Sequence, residues 1–280
     1  MSMARPVITL TTDFGTQDWF VAVVHGVLYG ICPDAHIVDL SHDIPPGHIA
    51  RAAFVLEAAA PDFPPGSVHL AVVDPGVGTV RRALAVGARG QFFVGPDNGV
   101  LSWALRDPEA RAHAVTEERW FRHPVSRTFH ARDVFAPVAA HVARGVGLAR
   151  FGPRVDDAMR LPHAVPVVSA AGIEGCILYL DRFGNALTNI EEQDVARAFP
   201  GVPDRGLEVR VLRATIRGLS RAYGESPLGT VVAILGSSGR LEIAQVGGDC
   251  AARLGIGEGD RVWVGRLSPG TRPDDPAPLG

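Results

Sequence analysis

Three apolar, β-branched runs in the first part of the chain each carry an acid at or just after the end. That repetition restricts the fold more than any other feature. Residues 7–12 run into Asp13, residues 37–40 carry Asp39, and residues 68–73 run into Asp74. Short runs of this kind suit strands buried on both faces of a parallel sheet. Between them, residues 18–29 and 48–60 space their apolar side chains as helices do, with Asp18 as the expected N-cap of the first. Pro61, Pro64 and Pro65 end the second. The order β-α-β-α-β predicts a parallel sheet with right-handed crossovers. Ligands of such sheets bind beyond the carboxyl ends of the strands, where these acids stand.

The third acid opens the turn Asp74-Pro75-Gly76-Val77-Gly78-Thr79-Val80-Arg81-Arg82, which places two cations close to it. Gly76 and Gly78 match the start of a dinucleotide fingerprint, but its third glycine would fall on Arg81. Residues 83–86 also read as the next strand, so no helix N-terminus follows to face a pyrophosphate. A solvated turn with a surface ion pair is the plain alternative for this loop.

Residues 83–86 and 91–94 form an expected strand pair, followed by the turn Gly95-Pro96-Asp97-Asn98-Gly99 and a helix from about 100 to 106. A further helix is expected from about 136 to 144, with Pro137 in its first turn. Beyond Leu161 the apolar runs shorten, and 175–180, 207–212, 230–235, 241–244 and 261–264 read as strands of a small β domain. The fold expected is α/β: a parallel-sheet α/β domain over 1–163, then a smaller barrel- or sandwich-like β domain over 164–267. Residues 268–280, rich in Pro, Asp and Gly, are expected to form a frayed tail.

A formal net charge of −3 argues against a general nucleic-acid binder. Cys32, Cys176 and Cys250 are scattered and lack C-x-x-C spacing, as expected of reduced core residues in a cytoplasmic protein. No signal peptide and no membrane span are expected. His42 and His48 lack the i, i+4 pairing of a zinc helix, no phosphate loop of Walker type is present, and no metal is expected.

Several residues admit two readings. Asp13 suits a ribose diol or an Asx turn. His130, between Phe129 and Arg132, suits catalysis or a structural hydrogen bond. Asp181-Arg182-Phe183-Gly184-Asn185 offers an acid, a ring and an amide in one loop, or a hairpin turn with an incidental acid. Gly236-Ser237-Ser238-Gly239 lies between two strands, so it is not a nucleophile elbow.

Six ordered stretches together resemble one family. They are Thr-Thr-Asp-Phe-Gly at 11–15, Asp-Leu-Ser-His at 39–42, Val-Asp-Pro-Gly-Val-Gly-Thr at 73–79, Gly-Pro-Asp-Asn-Gly at 95–99, Phe-His-Ala-Arg-Asp-Val-Phe at 129–135 and Asp-Arg-Phe-Gly-Asn at 181–185. The chain is similar over nearly its whole length to the S-adenosyl-L-methionine (SAM) hydrolases, also called SAM hydroxide adenosyltransferases, which are related to the SAM-dependent fluorinase and chlorinase.

The resemblance implies hydrolysis of SAM to adenosine and L-methionine without metal or organic cofactor. It implies that Asp74, Arg81 and His130 handle the attacking water, and that Asp13 binds the ribose. Asp181 and Asn185, with Phe183 between them, would hold the methionine amino-acid group. The turn carrying Ser237 and Ser238 would face adenine. It further implies a homotrimer with each site between subunits. The related halogenases usually replace the key acid by Tyr and carry a longer N-terminal loop. Here Asp74 and Val77 occupy those places and 45–74 leaves no room for an insertion, so water is the expected nucleophile. A non-catalytic SAM- or adenosine-binding regulator is the remaining alternative, beside a halogenase of the same family.

Overall fold

The computed structural model describes residues 5–162 and 164–267, and the expected tail at 268–280 lies outside them. The chain divides into two compact units, Met1–Pro162 and His163–Gly280.

In the first unit, β1 (Val7–Thr12), β2 (His36–Ser41) and β3 (Val68–Val72) are linked by α1 (Phe20–Ile31) and α2 (Ile49–Ala59). Then come β4 (Ala83–Ala88), β5 (Gln91–Pro96), α3 (Ser102–Leu105), β6 (Arg111–Ala114), α4 (Ala136–Ala143) and β7 (Arg154–Val155). The sheet order is β2-β1-β3-β5-β4-β6-β7. The β2, β1, β3 and β5 pairings are parallel, and β4, β6 and β7 extend the sheet by antiparallel pairing. Strand β1 thus lies between β2 and β3; Asp13 and Asp74 follow β1 and β3, whereas Asp39 lies inside β2, paired with Leu10. All of β3 is buried, as its unbroken apolar run requires.

The first helix departs from expectation at its start. Trp19 takes the N-cap position at near-helical angles (φ −76°, ψ −6°) without a side-chain cap, which leaves Asp18 outside the cap. His48 does cap α2, its Nδ1 accepting from the Arg51 amide. The core lies on both sides of the sheet. Phe135, Phe151, Val138 and Leu28 pack in one cluster, and Phe93, Leu84, Leu101 and Leu56 in another.

In the second unit, β8 (Val167–Val168), β9 (Ile173–Leu180), β10 (Ala186–Glu191) and α5 (Glu192–Ala198) come first. They are followed by β11 (Leu207–Val211), β12 (Ala214–Arg217), β13 (Val231–Leu235), β14 (Arg240–Gln245), α6 (Cys250–Leu254) and β15 (Arg261–Arg266). The order β12-β11-β15-β9-β10-β14-β13 is antiparallel throughout. A bridge between Ser220 and Ile234 brings the chain after β12 against β13, so the sheet closes almost into a barrel. Ile177, Ile190, Val209, Ile243 and Val264 fill its interior.

Two polar residues stand in register inside the parallel sheet. Thr9 pairs with His69, and Thr9 Oγ1 lies 2.8 Å from His69 Nδ1. The imidazole stacks on Phe93 at 4.9 Å between ring centroids, and burial lowers its pKa from 6.5 to about 4. The folded chain therefore refuses a proton that the unfolded chain accepts near pH 6.5, so stability falls as pH drops from about 6.5 towards 4. At ~1.4 kcal/mol per pKa unit the loss is on the order of 3 kcal/mol. Urea unfolding at stepped pH should show a shallower acid loss in His69→Gln, and an unchanged slope would remove His69 as its source.

Candidate active site

Beyond β3 the chain turns tightly. The Val77 amide donates to the Asp74 carbonyl at 3.2 Å, and the Thr79 amide and hydroxyl both donate to the Gly76 carbonyl at 3.1 and 2.7 Å. Gly78 takes φ +78°, and a Cβ there would stand 2.4 Å from the Arg127 carbonyl oxygen, so both conformation and space call for glycine. This turn brings Arg81 back over the acid that opened it.

Arg81 Nε donates to both oxygens of Asp74 at 3.0 Å, and Nη2 also donates to Oδ2. The pair is largely sequestered, with side chains 12% and 5% exposed, so it is not the surface ion pair of the plainer reading. The guanidinium lies over the Phe135 ring, 5.1 Å from its centroid. From the same Nη2 a contact of 2.8 Å reaches His130 Nδ1. An arginine only donates, so Nδ1 accepts and the neutral ring carries its proton on Nε2. Burial lowers the His130 pKa, and the Arg81 charge lowers it further, against the opposing pull of Asp74 and Asp133. The three residues named for water handling therefore form one connected group. Both Asp74 oxygens face a guanidinium, so the group supplies its own cation rather than a cage for a metal.

His130 stands where the sequence reading expected a loop, but it takes helical angles (φ −64°, ψ −23°), without a side-chain cap, just before a π-helical turn, Ala131–Phe135, that runs directly into α4. Pro137 lies in the first turn of α4 and has no N–H for the carbonyl of Asp133. That carbonyl instead accepts from the Arg122 amide at 2.8 Å. The fully buried Asp133 carboxylate accepts from Arg132 Nε and Nη2 at 2.7 and 2.8 Å, the Ser126 amide at 2.8 Å and Arg122 Nη1 at 3.2 Å. Burial alone would push its pKa up, yet these donors hold it below the ordinary carboxylate value. Asp133 thereby anchors the 122–128 loop beside His130.

The two adjacent arginines separate. Arg82 points away and bonds Asp97 Oδ2 and Asp157 Oδ1, each at 2.7 Å. Asp97 also accepts from the Met159 amide, and Asn98 donates to the Val73 carbonyl at 2.9 Å. The Gly-Pro-Asp-Asn-Gly turn is therefore a brace for the end of β3, immediately before Asp74. Sequence reasoning missed this role, since nothing in the spacing links residues 98 and 73.

Asp13 follows β1 at the same edge. Its Oδ2 accepts from the Gly47 amide at 2.8 Å, which pins the Pro45-Pro46-Gly47 turn to the end of the sheet. One carboxylate oxygen is thus held in place while the other keeps its acceptor capacity.

In the second unit Asp181 organises the β9–β10 turn. Its Oδ1 accepts from the Phe183 and Asn185 amides, both at 2.8 Å, and its Oδ2 from Asn185 Nδ2 at 2.9 Å. The turn fixes Phe183 outward, 74% exposed. A Cβ on Gly184 would meet Asp249 Oδ1 at 2.1 Å, so α6, capped by Asp249, packs directly under this turn. Ser237 and Ser238 are exposed in the β13–β14 turn, closed by Gly239 donating to the Gly236 carbonyl at 3.0 Å.

The Glu242 side chain packs against Gly236 and is 7% exposed. Its Oε2 accepts from the Tyr223 hydroxyl at 2.8 Å. Burial raises the Glu242 pKa, and the nearby Asp181 charge adds to the rise. Burial also pushes the Tyr223 phenol up to about 12. This pair was not singled out from sequence.

Asn98→Ala should cost about 1–3 kcal/mol, because the Val73 carbonyl loses its partner in a buried setting. Chemical denaturation measures this directly, and a loss within about 0.5 kcal/mol would show that the brace is not structural.

The sequence pattern of the SAM hydroxide adenosyltransferase N-terminal domain matches residues 8–152, and that of the corresponding C-terminal domain matches residues 175–263. The chain is 44% identical to an (R)-S-adenosyl-L-methionine hydrolase of Thermus thermophilus, covering 91% of this chain and 97% of the relative. It is 40% identical to a protein of the same name from Salinispora tropica, covering 92% and 97%. A fluorinase of Nocardia brasiliensis is more distant, at 27% identity with 93% and 97% covered. A solved structure of a conserved Thermotoga maritima protein superimposes with a TM-score of 0.86 at 35% identity, covering 92% of this chain and 99% of that one. With both domain patterns matched in order and close relatives aligned almost end to end, the chain belongs to the SAM hydroxide adenosyltransferase family.

Proposed function

We propose that this protein hydrolyses SAM to adenosine and L-methionine by in-line attack of water or hydroxide on C5′ of the ribose. The observation that carries the reading is the Asp74–Arg81–His130 group, seated at the sheet edge beside Asp13 in a chain of this family.

An O–C5′ bond forms as the C5′–S bond breaks, and the bonding pair leaves on sulfur as a neutral thioether. The leaving group needs no proton, so the demand falls on the nucleophile. Arg81 and the Nε2–H of His130 offer donors that favour hydroxide over water, while Asp74 holds the guanidinium in one orientation. Hydroxide and sulfonium lose opposite charges as they react, so a sheltered pocket favours the step. Water held in line about 3 Å from C5′ supplies the rest by proximity. Asp13 takes the ribose hydroxyls with its free acceptor capacity. The Asp181 Oδ2 keeps one acceptor site beyond Asn185 Nδ2 and suits the substrate ammonium, with Phe183 alongside. Ser237 and Ser238 contribute to the adenine side.

The family resemblance supports a homotrimer in which the first unit of one copy and the second unit of the next complete each site. The dispersed cysteines fit a cytoplasmic enzyme. Among the described residues, no helix is long and apolar enough to cross a membrane. The fluorinase relatives are the more distant ones, and Asp74 stands at the key position, which favours water over halide.

Chromatography of the purified protein incubated with SAM should yield adenosine and methionine, indifferent to chloride. Asp74→Ala should lower the rate by roughly 10²–10⁴-fold. Halide-dependent product would mean a halogenase, and SAM bound but unchanged would mean a regulator.

The pH profile tests the histidine separately. Because the His130 pKa lies below 6.5, the ring stays neutral until the pH falls beneath that value. Protonation then removes the Nδ1 acceptor from Arg81 and the rate drops. The acid limb of kcat/KM should have its midpoint below 6.5, and a limb centred above it would exclude this assignment.

A further inference from the structure

Apart from the water-handling group, a second cluster lies on the β2 side of the first unit. His25 Nε2 of α1 is 2.9 Å from Asp39 Oδ1 of β2, and His42 Nε2 is 3.0 Å from the same oxygen. The three donor atoms lie within 4.8 Å of one another.

The state of His42 sets this apart from an ordinary surface ion pair. Its side chain is 5% exposed, yet Nε2 makes no hydrogen bond, although Asp39 Oδ1 is close enough. The nitrogen lies near the oxygen but off the direction a hydrogen bond needs. On the far side of the ring, Nδ1 lies 2.8 Å from Thr12 Oγ1, a hydroxyl able to accept its proton. In the tautomer whose Nδ1–H donates to the Thr12 hydroxyl, the ring is oriented from its outer nitrogen, as metal-bound imidazoles are, and the Nε2 lone pair is free. A buried imidazole nitrogen without a partner is costly; His25 and Asp39 already hydrogen-bond one another, and a cation shared by the three would give His42 Nε2 the partner it lacks.

We propose that His25, Asp39 and His42 form a binding site for a divalent transition metal of the zinc class. Two imidazoles and one carboxylate are a borderline donor set suited to such ions rather than to Mg²⁺ or Ca²⁺. Asp39 is 39% exposed and His25 27%, so water completes the coordination sphere. The metal would tie α1 to the end of β2 and, through Thr12, to the residue before Asp13. Its role is structural and separate from the Asp74 group. The proposal departs from the expectation of a metal-free chain and does not depend on the reaction assigned above.

The test uses tag-free full-length protein, stripped with chelator and dialysed against Co²⁺ or Zn²⁺ alone. Native protein should bind one equivalent of Co²⁺ with visible d–d bands, bind Zn²⁺ competitively, and melt at higher temperature when loaded. His25→Ala and Asp39→Asn, each confirmed as folded by circular dichroism, should lose affinity by more than about 10-fold along with the Co²⁺ bands. An equivalent retained in both variants would place the ion elsewhere and overturn the proposal. The absence of stoichiometric binding by the native chain would overturn it equally.

Discussion

One guanidinium, held from two sides, decides the layout of the first unit. Arg81 is fixed by both oxygens of Asp74, rests on Phe135 and reaches His130 through Nη2, which Asp74 shares. A charge so placed needs an acid at the end of β3, a turn tight enough to return within a few residues, and a histidine delivered from a distant segment. Each requirement traces to a particular device: the buried β3, Gly78 at positive φ, and the π turn that leads into α4. The proposed chemistry on a sulfonium suits this arrangement, because a neutral thioether needs no proton on leaving and the polar groups are free to act on water.

The parts readable from sequence are those set by neighbours along the chain. Acid-bearing apolar runs marked β1 to β3, and the Asp97-Asn98-Gly99 and Asp181 to Asn185 stretches read as turns because Asp, Asn and Gly act on backbone within a few residues of themselves. Asp74 and Arg81 lie on one turn, so their association was also within reach.

What stayed hidden depends on partners far apart. Asn98 bracing Val73, Tyr223 donating to Glu242, and Arg82 leaving its neighbour for Asp157 follow from tertiary packing and no spacing rule encodes them. The π turn was missed for a related reason: Pro137 reads as a helix start, but what it releases upstream, the Asp133 carbonyl, is visible only once Arg122 is seen to bond it. Asp18 failed as a cap because Trp19 had already adopted helical angles. His25, Asp39 and His42 come from a helix, a strand and the loop after it, so no motif announces them.

The glycine at position 78 has a wider consequence. Its contact with the Arg127 carbonyl closes a loop of dependencies: Asp74 to Arg81, Arg81 to His130, His130 through its π turn to Asp133, Asp133 to Ser126, and Arg127 back to the turn that began at Asp74. In such a circuit, substitutions do not add independently. A lineage moving from water to another nucleophile could not exchange the acid alone, since the stations downstream would be left positioned for a charge no longer there. The effect of a substitution at any one of these places therefore depends on which residues stand at the others.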